Sequence, residues 1–179
     1  MRILVVSDTH GDYRSLATVL GLLGRSVQAL LHLGDGAADV AAAARCGVPM
    51  PPAYGVRGNV DNDASVPLVR SFDAEGRIVI VAHGHRYPLG DGVSCLFHAA
   101  REAGARAFFF GHTHVPDYVE RGGISVLNPG SLSRPRGPWG PSFAVVEAAP
   151  SSAFLDVKFF ELLGTAANPR LRTIHIQSR

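Results

Sequence analysis

The chain has 179 residues, of which 46% are apolar, with 17 Lys or Arg against 15 Asp or Glu. That length and apolar content suit a single domain spanning residues 1–179 with its own core, and they exclude a disordered, collagen-like or disulfide-stapled chain. A formal net charge of +2 is too small a surplus to point to nucleic acid.

No apolar run approaches the roughly 18 residues of a membrane helix, and Met1–Asp8 is apolar too briefly for a signal-peptide core. A cytoplasmic protein is therefore expected. Cys46 and Cys95 stand far apart with no CxxC, which reads as two idle thiols in a reducing compartment.

Arg2–Val6 is a β-branched run ending in the polar loop Ser7–Asp12, the pattern of a buried strand and a functional turn. Leu16, Val19, Leu20 and Leu23 then fall at helical spacing, with Gly24 as the stop. A second strand over Val27–Leu33 ends in Gly34-Asp35, and an Ala-rich helix follows over Ala37–Arg45. This β-α-β-α order predicts a layered α/β domain with parallel strands.

Ala53–Val56 reads as a third strand running into Gly58-Asn59-Val60-Asp61. Leu68–Phe72 and Arg77–Val81 flank Asp73–Gly76 as a hairpin, followed at once by His83-Gly84-His85. Val93–Ala103 predicts a helix, and Ala107–Phe110 a strand ending in Gly111-His112-Thr113-His114. Short strands follow at Tyr118–Glu120, Ile124–Leu127, Phe143–Glu147, Phe154–Phe160 and Arg172–Ile176. This β-rich second half predicts a second sheet packed on the first. Pro135–Pro141 reads as a surface loop, and exposed Trp139 or Phe159-Phe160 would mark a partner surface unless they join the core.

Five strand ends carry an acid, an amide or a histidine, and ligands collect at the carboxyl ends of strands in such sheets. Asp8-x-His10 and His112-x-His114 each place two donors at i and i+2, which share a face in extended chain. Asp35, Asn59 and His83 complete a set of seven. Singly these are weak signals, since Asn59 alone reads as a turn residue. Together they predict a metal site. Seven donors are too many for one tetrahedral ion and suit two ions sharing a carboxylate. Two divalent ions less two carboxylates and one hydroxide leave about one positive charge, enough to hold a phosphate anion. Oxygen and nitrogen donors without thiolates favour manganese, with iron, zinc, nickel, cobalt or magnesium as further candidates.

Asp8-x-His10, Gly34-Asp35, Gly58-Asn59, His83-Gly84-His85 and Gly111-His112-Thr113-His114 together resemble the calcineurin-like metallophosphoesterases. Asn128-Pro129-Gly130-Ser131 and Pro135-Arg136-Gly137 resemble their small single-domain, YfcE-type phosphodiesterase branch. The resemblance implies a four-layer α/β/β/α sandwich of two mixed sheets flanked by helices. It implies one ion on Asp8, His10, Asp35 and His114, and a second on Asp35, Asn59, His83 and His112, with Asp35 bridging. It further implies Asp61 orienting ligands or water, a hydroxide bridging the ions for in-line attack on phosphorus, and a small phosphodiester or nucleotide as substrate. A homo-dimer or homo-tetramer is compatible with it.

One position departs from the larger family, where a His after the Asn protonates the leaving group. Val60 stands there. His85 is the candidate substitute acid, since it shares a face with His83. His32, His98 and His175 read as structural or exposed, and Arg57, Arg86, Arg134 and Arg136 lie near the motif loops as possible phosphate grips. Two other functions compete: a protein-interaction scaffold, as in a retromer subunit of this fold, and a nuclease.

Overall fold

The structure is a computed structural model that describes residues 1–150, 152 and 155–176. Its elements in order are β1 (Arg2–Val6), α1 (Tyr13–Leu23), a 3-10 turn (Gly24–Ser26), β2 (Ala29–His32), α2 (Ala37–Ala44), β3 (Ala53–Gly55), β4 (Val69–Asp73) and β5 (Ile78–Ala82). Then come α3 (Ser94–Glu102), β6 (Ala107–Phe109), β7 (Pro116–Arg121), β8 (Ile124–Pro129), β9 (Ser142–Glu147), β10 (Asp156–Thr165) and β11 (Asn168–Ile174).

Side-chain alternation explains the layers. In β1, Ile3 and Val5 face a core between the two sheets, while Leu4 and Val6 face α1 and α2. In β6, Ala107 and Phe109 enter that same inter-sheet core, while Phe108 meets Leu96 and Phe97 of α3 on the opposite side. Strands buried on both faces read as unbroken apolar runs, which is why these stood out in the sequence. α1 lays Leu16, Val19 and Leu20 on its sheet, and Asp12 caps it by accepting the Ser15 N–H at 3.1 Å. The result is helices, sheet, sheet, helix: the expected α/β/β/α sandwich.

The first sheet has the order β11-β10-β9-β1-β2-β3 and the second β4-β5-β6-β8-β7. This corrects one expectation. The last three strands do not build the second sheet; they extend the first. β2 takes one edge of β1 in parallel through the α1 crossover, and the free edge accepts β9 antiparallel, Ile3 opposite Val146. The second sheet comes from the middle of the chain, with the predicted hairpin β4–β5 at its edge.

Element ends also shift. β2 is shorter than predicted. β11 starts earlier, at Asn168, because the β10–β11 hairpin pairs down to Thr165 and Asn168. β10 begins at Asp156, and Phe154 of the predicted strand lies outside the described residues. Trp139 packs against the inter-sheet core, Phe159 is buried, and Phe160 stacks on Phe143 at 5.6 Å, so these apolar residues serve the core.

β1, β2 and β3 run parallel in one sheet, and β5, β6 and β8 run parallel in the other. The loops leaving β1, β2, β3, β5 and β6 carry the seven candidate donors.

Candidate metal centre

The donors converge as two groups. The ligand atoms of Asp8, His10 and His114 lie within 4.8 Å of one another, and so do those of Asp8, Asp35 and His83. His10 and His114 Nε2 are 3.2 Å apart, and His114 Nε2 is 3.1 Å from Asp8 Oδ1. His83 Nε2 is 3.3 Å from Asp35 Oδ2 and 3.2 Å from Asn59 Oδ1. Asp8 is common to both groups. Asp35 Oδ2 also lies between them, 3.9 Å from His10 Nε2. His112 stands at the margin: its ring is 5.2 Å from that of His83, and its backbone N–H donates to Asp8 Oδ2 at 3.0 Å.

The backbone hydrogen bonds set the imidazole tautomers. His83 Nδ1–H donates to the Leu33 carbonyl at 2.8 Å, and His114 Nδ1–H to the Arg134 carbonyl at 2.6 Å. Each Nε2 is thereby left with a lone pair, aimed at carboxylate or amide oxygens that are themselves acceptors. Asp8 Oδ1 is fully buried and makes no sound hydrogen bond. A pocket in which acceptors face acceptors is unfavourable on its own and suits a cation. The residues present therefore fit divalent metal.

Protonation is the substitute when no cation is present. The Asp8 carboxylate pulls the His114 pKa up. Burial lowers that of His83, but Asp35 and Asp8 outweigh it and the net direction is upward. Burial pushes His10 and His112 down. Burial also opposes ionisation of Asp35, yet the His83 contact and the Val60 N–H at 2.9 Å bring its pKa to about 2.

The backbone is strained where the donors sit. Asp8, His10, Asp35, His112 and His114 all have φ between 46° and 70°, and among the described residues only Glu75 shares this left-handed state without being glycine. Each costs about 1–3 kcal/mol and persists only where surroundings impose it. The convergence of Asp8 with His10, and of His112 with His114, therefore comes from these bends and not from the extended chain that their spacing suggested. Gly58 is needed for room: a Cβ there would strike the Asp35 carboxylate.

Asp61 touches no donor side chain. Its carboxylate accepts the N–H groups of Asp35 and Gly58, both at 2.8 Å, and of Gly36 and Ala37, both at 2.9 Å. It ties the β2 loop to the β3 loop. His85 lies 5.4 Å from the His83 ring; its Nδ1 is buried without a partner, and it lines a neighbouring 350 Å³ cleft with Leu68, Val69 and Tyr87.

Several supports went unread in the sequence. Thr9 Oγ1 donates to Asp39 Oδ2 at 2.5 Å and accepts from His32 Nε2 at 3.0 Å, while His32 Nδ1 accepts the Gly34 N–H at 3.3 Å. This chain of fully oriented bonds fastens the Asp8–His10 loop to α2. Asn128 Nδ2 donates to the Gly111 carbonyl and to Thr113 Oγ1, and Ser131 Oγ donates to the Asp8 carbonyl at 2.7 Å. The Asn-Pro-Gly-Ser motif was visible but carried no assigned role; it braces the donor loops.

A cleft of about 390 Å³ opens over the centre, lined by His10, Asp35, Asn59, Val60, His112 and His114 together with Arg134 and Arg136. Arg86 belongs to the neighbouring cleft, and Arg57 lines neither. His98 is exposed beside Glu102, His175 is exposed, and both cysteines are free thiols. No helix among the described residues is long and apolar enough to cross a membrane.

Known proteins resemble this chain in sequence and in fold. A probable metallophosphoesterase of Methanothermobacter thermautotrophicus is 34% identical over 141 residues, 76% of this chain and 80% of its own. The probable metallophosphoesterase YsnB of Bacillus subtilis is 27% identical over 92% of this chain and 93% of its own, and the phosphodiesterase YfcE of Escherichia coli is 28% identical over 76% and 82%. A predicted phosphoesterase from Streptococcus pneumoniae superposes with a TM-score of 0.75 at 26% identity, covering 97% of both chains. A single mutant of Vps29 from Entamoeba histolytica superposes at 0.74 with 22% identity over 98% and 100%, a likeness of fold alone. The calcineurin-like phosphoesterase superfamily domain matches residues 1–150, and on that match this chain belongs to the calcineurin-like phosphoesterase superfamily.

Proposed function

We propose that this protein is a phosphodiesterase that holds two divalent ions, manganese first among the candidates, in the cleft between the two sheets. The observation that carries this reading is the pair of Nε2 atoms of His83 and His114, whose Nδ1–H groups are committed to backbone carbonyls, facing Asp35 Oδ2 and Asp8 Oδ1, with His10 Nε2 3.2 Å from that of His114. Asp8, His10 and His114 would hold one ion, and His83 and Asn59 the other. His112 would complete the second set from its margin. Asp35 is the proposed bridge, since its Oδ2 lies between His10 and His83. Such ions supply positive charge to the phosphoryl oxygens and lower the pKa of attacking water toward ~7.

The chain's own residues decide which esters suit it. Val60, 52% exposed on the cleft, has no proton to give. His85 faces the neighbouring cleft, and burial, then His83 and His112, lower its pKa. The leaving group must therefore depart as an anion stable without a donor, which favours activated phosphodiesters over alkyl phosphomonoesters. The name of the YfcE relative agrees with this class. The two free thiols fit a reducing, cytoplasmic setting, and the shared inter-sheet core supports one domain.

Metal analysis of the purified protein, with rates on bis-p-nitrophenyl and mono-p-nitrophenyl phosphate in manganese, tests the reading. Faster turnover of the diester supports it. Inactivity on both with metal fully loaded turns the assignment to a scaffold of the same fold. Asp35→Asn is expected to lose metal and turnover together.

A further inference from the structure

We propose that the cleft is built for a phosphodiester that carries a second anionic group, seated on Arg134 and Arg136. The inference rests on the phosphodiesterase reading above and names its substrate class: a diester of a phosphorylated alcohol, such as a nucleoside with a further terminal phosphate.

The loop that presents these two arginines is fastened to the centre. The Arg134 carbonyl accepts His114 Nδ1–H at 2.6 Å, and the Arg136 N–H donates to the His114 carbonyl at 3.0 Å. The Arg134 N–H donates to Ser131 Oγ at 2.8 Å, and that hydroxyl donates in turn to the Asp8 carbonyl. Pro135 fixes φ between them. Both arginine positions therefore move as one piece with two candidate metal donors, while their side chains stay exposed on the cleft wall. Both arginines line the same cleft as His10, Asp35, Asn59, His112 and His114.

Neither guanidinium has an acidic partner among the described residues. The nearby acids are committed elsewhere: Asp8 and Asp35 to the donor cluster, Asp61 to four backbone N–H groups. The scissile phosphate of a diester brings one negative charge, and the centre's surplus positive charge of about one already meets it. Two further cations exceed that need. They match a terminal phosphate monoester, which is close to dianionic at neutral pH and offers oxygens to two planar forks. Val60, exposed in the same cleft, gives an apolar face for the alcohol that links the two phosphates.

The test uses the full-length, manganese-loaded protein and two esters with the same leaving group: thymidine 5′-(p-nitrophenyl phosphate) and its 3′-phosphorylated form. The expected KM is about tenfold lower for the 3′-phosphorylated ester, with kcat alike, as one or two charge-assisted contacts would give. In Arg134→Ala and Arg136→Ala the ratio of the two KM values falls toward one, and Arg→Lys variants keep part of it. Calorimetry with thymidine 3′,5′-bisphosphate against thymidine 5′-monophosphate reads the same preference without turnover. A KM ratio near one in the wild type, or a ratio unmoved by both alanine variants, overturns the inference, as does equal affinity for the two nucleotides. Loss of turnover on both esters overturns the phosphodiesterase reading instead, and the calorimetric preference then decides the anion site by itself.

Discussion

The Asp61 carboxylate accepts the backbone N–H of Asp35 at 2.8 Å, one of four such bonds by which it joins the β2 loop to the β3 loop. Asp61 thus places the Asp35 carboxylate and the Gly58-Asn59 turn at once, without touching either donor side chain.

Asp61→Asn is expected to destabilise the protein by about 1.5–3 kcal/mol, because an amide presents an NH₂ to two of the N–H groups that now find an acceptor. The effect has a sign in pH. Burial opposes ionisation of Asp61, but the four backbone bonds hold its pKa below the ordinary 3.8. A depressed carboxylate contributes stability above its unfolded pKa and loses it as pH falls through the folded value. The stability gap between wild type and Asp61→Asn in urea should stay flat from pH 7 to about 5 and shrink below about 3.8. A gap that grows in acid contradicts the clamp.

Val60 offers a gain-of-function check on the leaving-group argument. Val60→His would place an imidazole beside Asn59 on the cleft, where Val60 is now 52% exposed. The expected result is a faster rate on esters with poor leaving groups, within the 10²–10⁴-fold range of general acids, and little change on p-nitrophenyl diesters. His85→Ala should leave the slope of log kcat against leaving-group pKa as it is in the wild type. A steeper slope in His85→Ala makes His85 the acid.

Much of this was legible before the fold was known, for a physical reason. Asp8, Asp35, His83 and His112 each lie within three residues of the end of a short, mostly apolar strand, and three of those strands are buried almost throughout, so the donors stand out in the polar loops that follow. What stayed hidden depended on distance or on backbone choice. Which edge β9 joins is settled by the far end of the chain. The Thr9–Asp39 bond links loop and helix across 30 residues. Nor does any local pattern announce that Asp8 and His10 bend into positive φ, since aspartate and histidine adopt it more readily than most residues but still uncommonly.

Thr9 tests what holds that bend. Thr9→Val keeps the shape but leaves Asp39 Oδ2 with one donor fewer and the His32 Nε2–H without an acceptor in a fully buried place. The expected cost is about 1–3 kcal/mol in stability. Beyond that, manganese affinity measured on metal-free protein should weaken, because the Asp8–His10 bend relaxes. Thr9→Ser should restore both. Unchanged affinity in a destabilised Thr9→Val protein would reduce the network to ordinary packing.

Asp8 gives the sharpest discrimination, because its two oxygens have opposite standing. Oδ2 accepts the His112 N–H at 3.0 Å, whereas buried Oδ1 faces the Nε2 lone pair of His114 at 3.1 Å with nothing between. In Asp8→Asn the amide oxygen can keep the His112 bond while the new NH₂ donates to His114. At alkaline pH, where His114 is neutral, the metal-free variant should therefore be more stable than metal-free wild type by about 0.5–1.5 kcal/mol, a few degrees in Tm for a chain of this size. The gain should vanish as pH falls and His114 takes the proton that Asp8 favours. Manganese should raise the wild-type Tm by mass action and leave that of Asp8→Asn almost unmoved. The two curves cross as manganese is titrated in. A variant less stable than wild type at every metal concentration would mean that Asp8 serves the fold, and the acceptor-against-acceptor reading of the centre would fall with it.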